Sequence, residues 1–229
     1  MSRNSKTWAF ITLFGTFLVF GCASKSVSIP KNFPDVLRNL DPKALASVTA
    51  PSKSKGDGFF FSYNGCLITI RHFKDFSVKD SFTIWNGSSH IAKVAFDYSP
   101  WDLVVLKVNN SFPKVPIPVV DTVPKMGETV YAITRSNDEN FEYITGAIML
   151  VDKNAYVILP NGDIAFIPGA FAFWSDTAAQ PGWSGSYVTS ESGGVGYLFA
   201  SDLKNFSYFH PVSYGTLNLI FPNIDVLCP

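Results

Sequence analysis

From Gly58 onward, apolar residues come in short runs separated by turn-forming residues, and no stretch keeps a helical period over ten residues. Phe59–Ser62 and Cys66–Ile70 flank Asn64-Gly65, and Ser81–Trp85 and Ile91–Phe96 flank Asn86-Gly87. Asn-Gly is the strongest short hairpin signal, because both residues tolerate the positive φ of a tight turn. Leu103–Val108 is almost continuously apolar, as expected of a strand covered on both faces. A Pro-rich stretch, 111–124, then divides the pattern near residue 115. Beyond it the style repeats, with strands expected at Thr129–Ile133, Tyr143–Val151, Ala155–Leu159, Ile164–Ile167, Ser186–Thr189, Val195–Ala200 and Phe206–Phe209. Pro160–Asp163 forms a turn, and Val212–Ile220 a short C-terminal helix. Two sets of about six strands predict an all-β chain of two packed six-stranded barrels.

The N-terminal part reads differently. Residues 1–6 carry Arg3 and Lys6 and no acid, and an apolar run from Trp8 to Phe20 follows. As a helix that run reaches about 20 Å, short of a bilayer core of roughly 30 Å, so it fits the apolar region of a signal peptide. Leu18-Val19-Phe20-Gly21-Cys22 resembles a bacterial lipobox. The resemblance implies a lipoprotein signal peptide over 1–21 and palmitate-type acylation of Cys22. Ala23 stands where an acid would retain the protein at the inner membrane, so the expected location is the cell envelope, at the outer membrane facing the periplasm. Residues 22–57 are expected to be a lipidated tether and lead-in segment, with helix-like pieces at Asp35–Leu40 and Lys43–Ser47 and a loop at Lys53–Asp57. The folded domain is expected over 58–229.

Eighteen basic and eighteen acidic residues cancel, which argues against a nucleic-acid partner. A hydrophobic content of 47% with only 16% charge excludes a disordered chain. Three cysteines are too few for a disulfide scaffold, and none lies at metal-site spacing, so no metal or cofactor is expected. Whether Cys66 and Cys228 pair is left open by the sequence.

Chemistry-bearing residues are few. His90 opens an alternating strand and His210 lies in an aromatic run, and both read as structural. His72 follows the apolar strand 67–70, where a rigid scaffold can present a side chain. Asp102 directly precedes the buried run 103–108, where a carboxylate needs hydrogen-bond partners. Ser184 lies in Pro181-Gly182-Trp183-Ser184-Gly185, whose glycines permit a tight turn that aims N–H groups at one point. The order His, Asp, Ser is that of the chymotrypsin arrangement.

Four segments then carry a family resemblance. Gly56-Asp57-Gly58-Phe59 is similar to a Gly-Ser-Gly-Phe opening, and Leu67–Phe73 to a strand ending in a catalytic histidine. Asp102–Val108 is similar to Asp-Leu-Ala-Leu-Leu-Lys-Val, and Ser175–Gly185 to Thr-Asp-Ala-Ala-Ile-Asn-Pro-Gly-Asn-Ser-Gly. Over about residues 45–220 the chain resembles trypsin-like serine peptidases, nearest the bacterial Deg/HtrA type. The resemblance implies Ser184 as nucleophile, His72 as general base and acid, Asp102 as the group orienting the imidazole, and the Gly182 and Ser184 N–H groups as the oxyanion hole. It also implies a peptide or protein substrate. Ala178, six residues before Ser184, would set the pocket floor and suit an apolar residue before the scissile bond. Arg71, Trp183 and Ser186-Tyr187 depart from the family pattern, and the other function consistent with the sequence is an inactive protease-fold lipoprotein serving as a binding module.

Overall fold

The structure, a computed structural model, describes residues 29–228 apart from 74–76, 78, 110–115, 137–139, 159–163, 178 and 203–204. The signal peptide, Cys22, the turn at 160–163 and Ala178 therefore lie outside the described residues. Twelve strands form two closed antiparallel barrels of six. The first contains β1 (Leu45–Thr49), β2 (Lys55–Phe60), β3 (Cys66–Ile70), β4 (Ser81–Trp85), β5 (Ser89–Tyr98) and β6 (Leu103–Val108), closed by β1 pairing with β4. The second contains β7 (Thr129–Ser136), β8 (Asn140–Ile158), β9 (Ile164–Trp174), β10 (Tyr187–Ser190), β11 (Val195–Ser201) and β12 (Phe206–Val212), closed by β10 pairing with β7.

β3 pairs along its whole length with residues 103–107 of β6, and every residue of β3 is buried. Their nearly continuous apolar runs, interrupted by Thr69 and the half-buried Lys107, have little solvent face to alternate towards. At β4 the alternation returns, with Phe82 and Ile84 fully buried between exposed neighbours.

Several elements differ from the sequence expectation, β9 among them, which runs on from Ile167 to Trp174. The first barrel begins at Leu45, inside the stretch read as lead-in, and Lys43–Ser47 gives way to a short 3-10 turn and β1. Lys55, Gly56 and Asp57, expected in a loop, belong to β2 and pair with β1. In the second barrel, β8 is one long strand whose register with β9 shifts at Ile148/Leu150, Leu150/Lys153 and Lys153/Ala155. These bulges break the two-residue period, so the sequence reads as two strands.

The C-terminal helix begins at Tyr214, because Val212 completes β12 and Ser213 caps the helix by accepting from Thr216 N–H. This helix, α1 (Tyr214–Ile220), leads to a shorter one, α2 (Ile224–Leu227). Phe221 packs against Phe96 and Tyr98 of the first barrel. Cys66 and Cys228 are disulfide-bonded, fastening the chain's end to β3.

Candidate active site

β3 delivers His72. Directly after the strand, Arg71 N–H donates to the Asp102 carbonyl at 2.8 Å, which fixes the two segments against each other. His72 Nδ1 then lies 2.5 Å from Asp102 Oδ2. A carboxylate facing Nδ1 keeps the proton there, leaving Nε2 as the basic nitrogen. Asp102 ends the 3-10 turn Ser99–Trp101 at φ 54°, in the left-handed region that Asp tolerates better than most residues. Its N–H donates to Ser99 and its side chain is largely buried. Tyr197 of β11 donates its hydroxyl to the Trp101 carbonyl at 2.5 Å, so the second barrel braces the segment that holds Asp102. The Arg71 side chain pairs through Nε with Asp97 at 2.6 Å, on β5.

Ser184 sits in two successive turns dictated by local sequence. Pro181-Gly182 forms the corner of the first, closed by Trp183 N–H donating to Gln180 O, with Gly182 at φ +97°. Ser184-Gly185 forms the corner of the second, closed by Ser186 N–H donating to Trp183 O, with Gly185 at φ +91°. Proline first and glycine second is the preferred order where the second corner residue needs positive φ. Gly185 N–H donates to Leu198 O. Among the described residues, the N–H groups of Gly182 and Ser184 donate to no protein acceptor. Two unpaired donors flanking one residue are what an oxyanion requires. Trp183 turns its indole inward, 8% exposed, into the buried cluster of the second barrel that also holds Ala179 and Phe173.

The Ser184 turn packs directly on β2. Asp57 N–H donates to Ser184 O at 2.7 Å. A Cβ added at Gly185 would meet Asp57 O at 1.9 Å, and one added at Gly56 would meet Ser184 O at 2.6 Å and the Phe73 ring at 3.1 Å. Ser184 and the residue after His72 thus approach the same point on β2. No hydrogen bond joins His72 to Ser184 among the described residues. Such bonds commonly tighten only when substrate binds.

Asp57 is the site residue whose role the sequence did not reveal. It is buried on β2, and its Oδ2 accepts from Thr134 Oγ1 of β7 and, at 2.8 Å, from Oγ of Ser186, the residue whose N–H closes the Ser184 turn. Thr69 Oγ1 donates to its carbonyl at 2.6 Å. Burial pushes this carboxyl up to about 7, while the Thr134 and Ser186 hydroxyls, the Arg135 N–H and the Arg135 charge hold it down. Its signal was a charge between two glycines in front of an aromatic strand. Beside it opens a cavity of about 480 Å³, whose walls include Lys55, Asp57, Trp85, Arg135 and Gly182.

The remaining histidines stay away from this chemistry. His90 hydrogen-bonds Ser88 at the β4–β5 hairpin. His210 is fully buried and stacked on Trp101, with ring centroids 5.1 Å apart. Among the described residues no three His, Cys, Asp or Glu side chains cluster as metal ligands, and no helix is long and apolar enough to cross a membrane.

Residues 56–195 match the family model of the trypsin-like peptidase domain. The active form of the Rv3671c protease from M. tuberculosis is similar at a TM-score of 0.62 and 20% identity, covering 93% of this chain and 92% of that one. The MamO protease domain from Magnetospirillum magneticum is similar at 0.57 and 18% identity, over 79% and 96% of the two chains. At such identities the likeness speaks to the fold. Among curated proteins none matches.

Proposed function

This chain belongs to the trypsin-like peptidase domain family, and from that membership we propose that it is a serine endopeptidase anchored by lipid in a bacterial cell envelope. The observation that carries the chemistry is the tandem turn at Ser184, in which Trp183, Gly185 and Ser186 use their N–H groups while, among the described residues, those of Gly182 and Ser184 donate to no protein acceptor. A serine hydroxyl is a weak nucleophile until a base takes its proton. His72 Nε2 is that base, because Nδ1 is held by Asp102. Ser184 Oγ attacks the substrate carbonyl carbon as His72 accepts the proton, and the two free N–H groups receive the oxyanion. Collapse expels the amine, protonated by His72, and leaves an acyl group on Ser184. Water, deprotonated by His72, then releases the acid and restores the serine.

The envelope location rests on the lipobox at Cys22 and takes support from the Cys66–Cys228 disulfide, a bond that persists in oxidising compartments. We assign Ala178 to the floor of the pocket for the residue before the scissile bond, with an apolar preference, on the family resemblance alone. The test is labelling by a fluorophosphonate. Wild type is expected to take the probe and Ser184→Ala to lose it. A wild type that stays unlabelled, with its fold intact, favours the second reading, a protease-fold binding module, which the lack of a His72–Ser184 hydrogen bond among the described residues would then explain.

A further inference from the structure

A carboxylate buried between two barrels is costly unless hydrogen bonds compensate it, and Asp57 has them from Thr134, Ser186 and the Arg135 N–H. Asp57 engages the nucleophile turn at three points. Its N–H reaches Ser184 O, its carbonyl fills the space a Gly185 side chain would need, and its Oδ2 accepts the Ser186 hydroxyl. The same Oδ2 accepts from Thr134, so one oxygen ties the turn to β7 as well as to β2. Resting on the reading of Ser184 as nucleophile, we infer that Asp57 is its positioning residue: the charged carboxylate holds Ser186, and through it the Ser184 turn, in register with the strand that leads to His72.

The argument is one of hydrogen-bond polarity. An ionised carboxylate only accepts, and both hydroxyls donate into it. Protonation removes the charge at which the Thr134 and Ser186 hydroxyls and the Arg135 N–H are aimed, so each of these hydrogen bonds weakens. Ser186 lies two residues from Ser184, on the turn closed by its own N–H, so its release acts directly on the nucleophile. The charged groups around Asp57 are Arg135 of β7 and, on its own strand, Lys55, which line the same cavity. β1 carries no ionisable side chain, and β10 contributes Tyr187, whose burial pushes its phenol up to about 12 and keeps it neutral. The carboxyl itself, pushed up to about 7 by burial, changes charge near neutral pH.

Asp57→Asn keeps the shape and removes the charge. We expect it to fold with the disulfide intact and to lose about tenfold in kcat on a peptide substrate while KM changes little, as for a group that aligns the reacting atoms. The Asp57 deprotonation is expected to steepen the acid limb of kcat/KM in wild type, and Asp57→Asn to make that limb shallower. Ser186→Ala removes the hydroxyl through which the carboxylate acts on the turn, and is expected to make the limb as shallow as Asp57→Asn does. Hydrogen exchange gives a readout independent of turnover: the Gly185 and Ser186 amides of Asp57→Asn are expected to exchange about tenfold faster than in wild type. A folded Asp57→Asn with wild-type kcat and an unchanged acid limb overturns the proposal, as does unchanged exchange at Gly185 and Ser186. Failure of wild type to take the fluorophosphonate strikes the nucleophile reading instead, and the exchange measurement still decides whether the clamp exists.

Discussion

An imidazole with no partner for either nitrogen is held neutral by its surroundings, and His210 is such a group. It is fully buried among Trp101, Tyr197 and Phe199, and both ring nitrogens lack a hydrogen-bond partner among the described residues. Burial pushes its protonation down to about 3, from 6.5 in the unfolded chain. The fold therefore binds this proton less readily than the unfolded chain does. The contribution is complete above pH 6.5 and is lost as the pH falls from there towards 3, by up to about 1.4 kcal/mol per pH unit. Denaturant midpoints of wild type and His210→Phe, followed from pH 7 to 4, are expected to diverge, with the variant losing less on acidification. Parallel curves would mean that the ring is solvated. The same scale shows what could be read beforehand. His72, Asp102 and Ser184 stood out because each sits beside an apolar strand or between glycines. Asp57 did not, because the residues that make it consequential, Thr134 and Ser186, are distant in sequence and meet it only across the barrel interface.

At the level of elements, the Ser184 turn is a place where geometry leaves no freedom. Gly185 combines a positive φ with a backbone oxygen 1.9 Å from where a Cβ would stand. Gly185→Ala must therefore displace either β2 or the turn. A loss of several kcal/mol in stability is expected, together with loss of fluorophosphonate labelling. Labelling at the wild-type rate would show that the turn tolerates a shift away from β2. Strands were legible where a local signal marks them: β3 and β4, beside Asn-Gly turns, and β6, an almost continuous apolar run, match their expected limits. β1 was not, since Lys43–Ser47 has helix-favouring residues and becomes a strand only through its pairing with β2 and β4. The bulged β8 was read as two pieces for a related reason, because its continuity is set by its neighbours and not by its own period.

For the whole molecule, closure of two barrels was readable from the repeated style of the two halves, whereas the covalent link between the first barrel and the chain's end was not. Cys66 and Cys228 are 162 positions apart, and their approach depends on α1 and α2 folding back over the first barrel. Asn64 and Lys107 side chains both donate to the Leu227 carbonyl, so the seam is hydrogen-bonded as well as bridged. Replacing both cysteines by serine is expected to lower unfolding free energy by about 2–5 kcal/mol, read as a lower denaturant midpoint. An unchanged midpoint would mean that these helices are held without the bridge.

That bridge makes everything between Cys66 and Cys228, His72, Asp102 and Ser184 included, part of one closed covalent circuit. A single cleavage anywhere inside it opens the circuit without releasing a fragment. Under the proposed attachment through Cys22, the anchor therefore retains the severed portion too, until a reductant reaches the sulfurs.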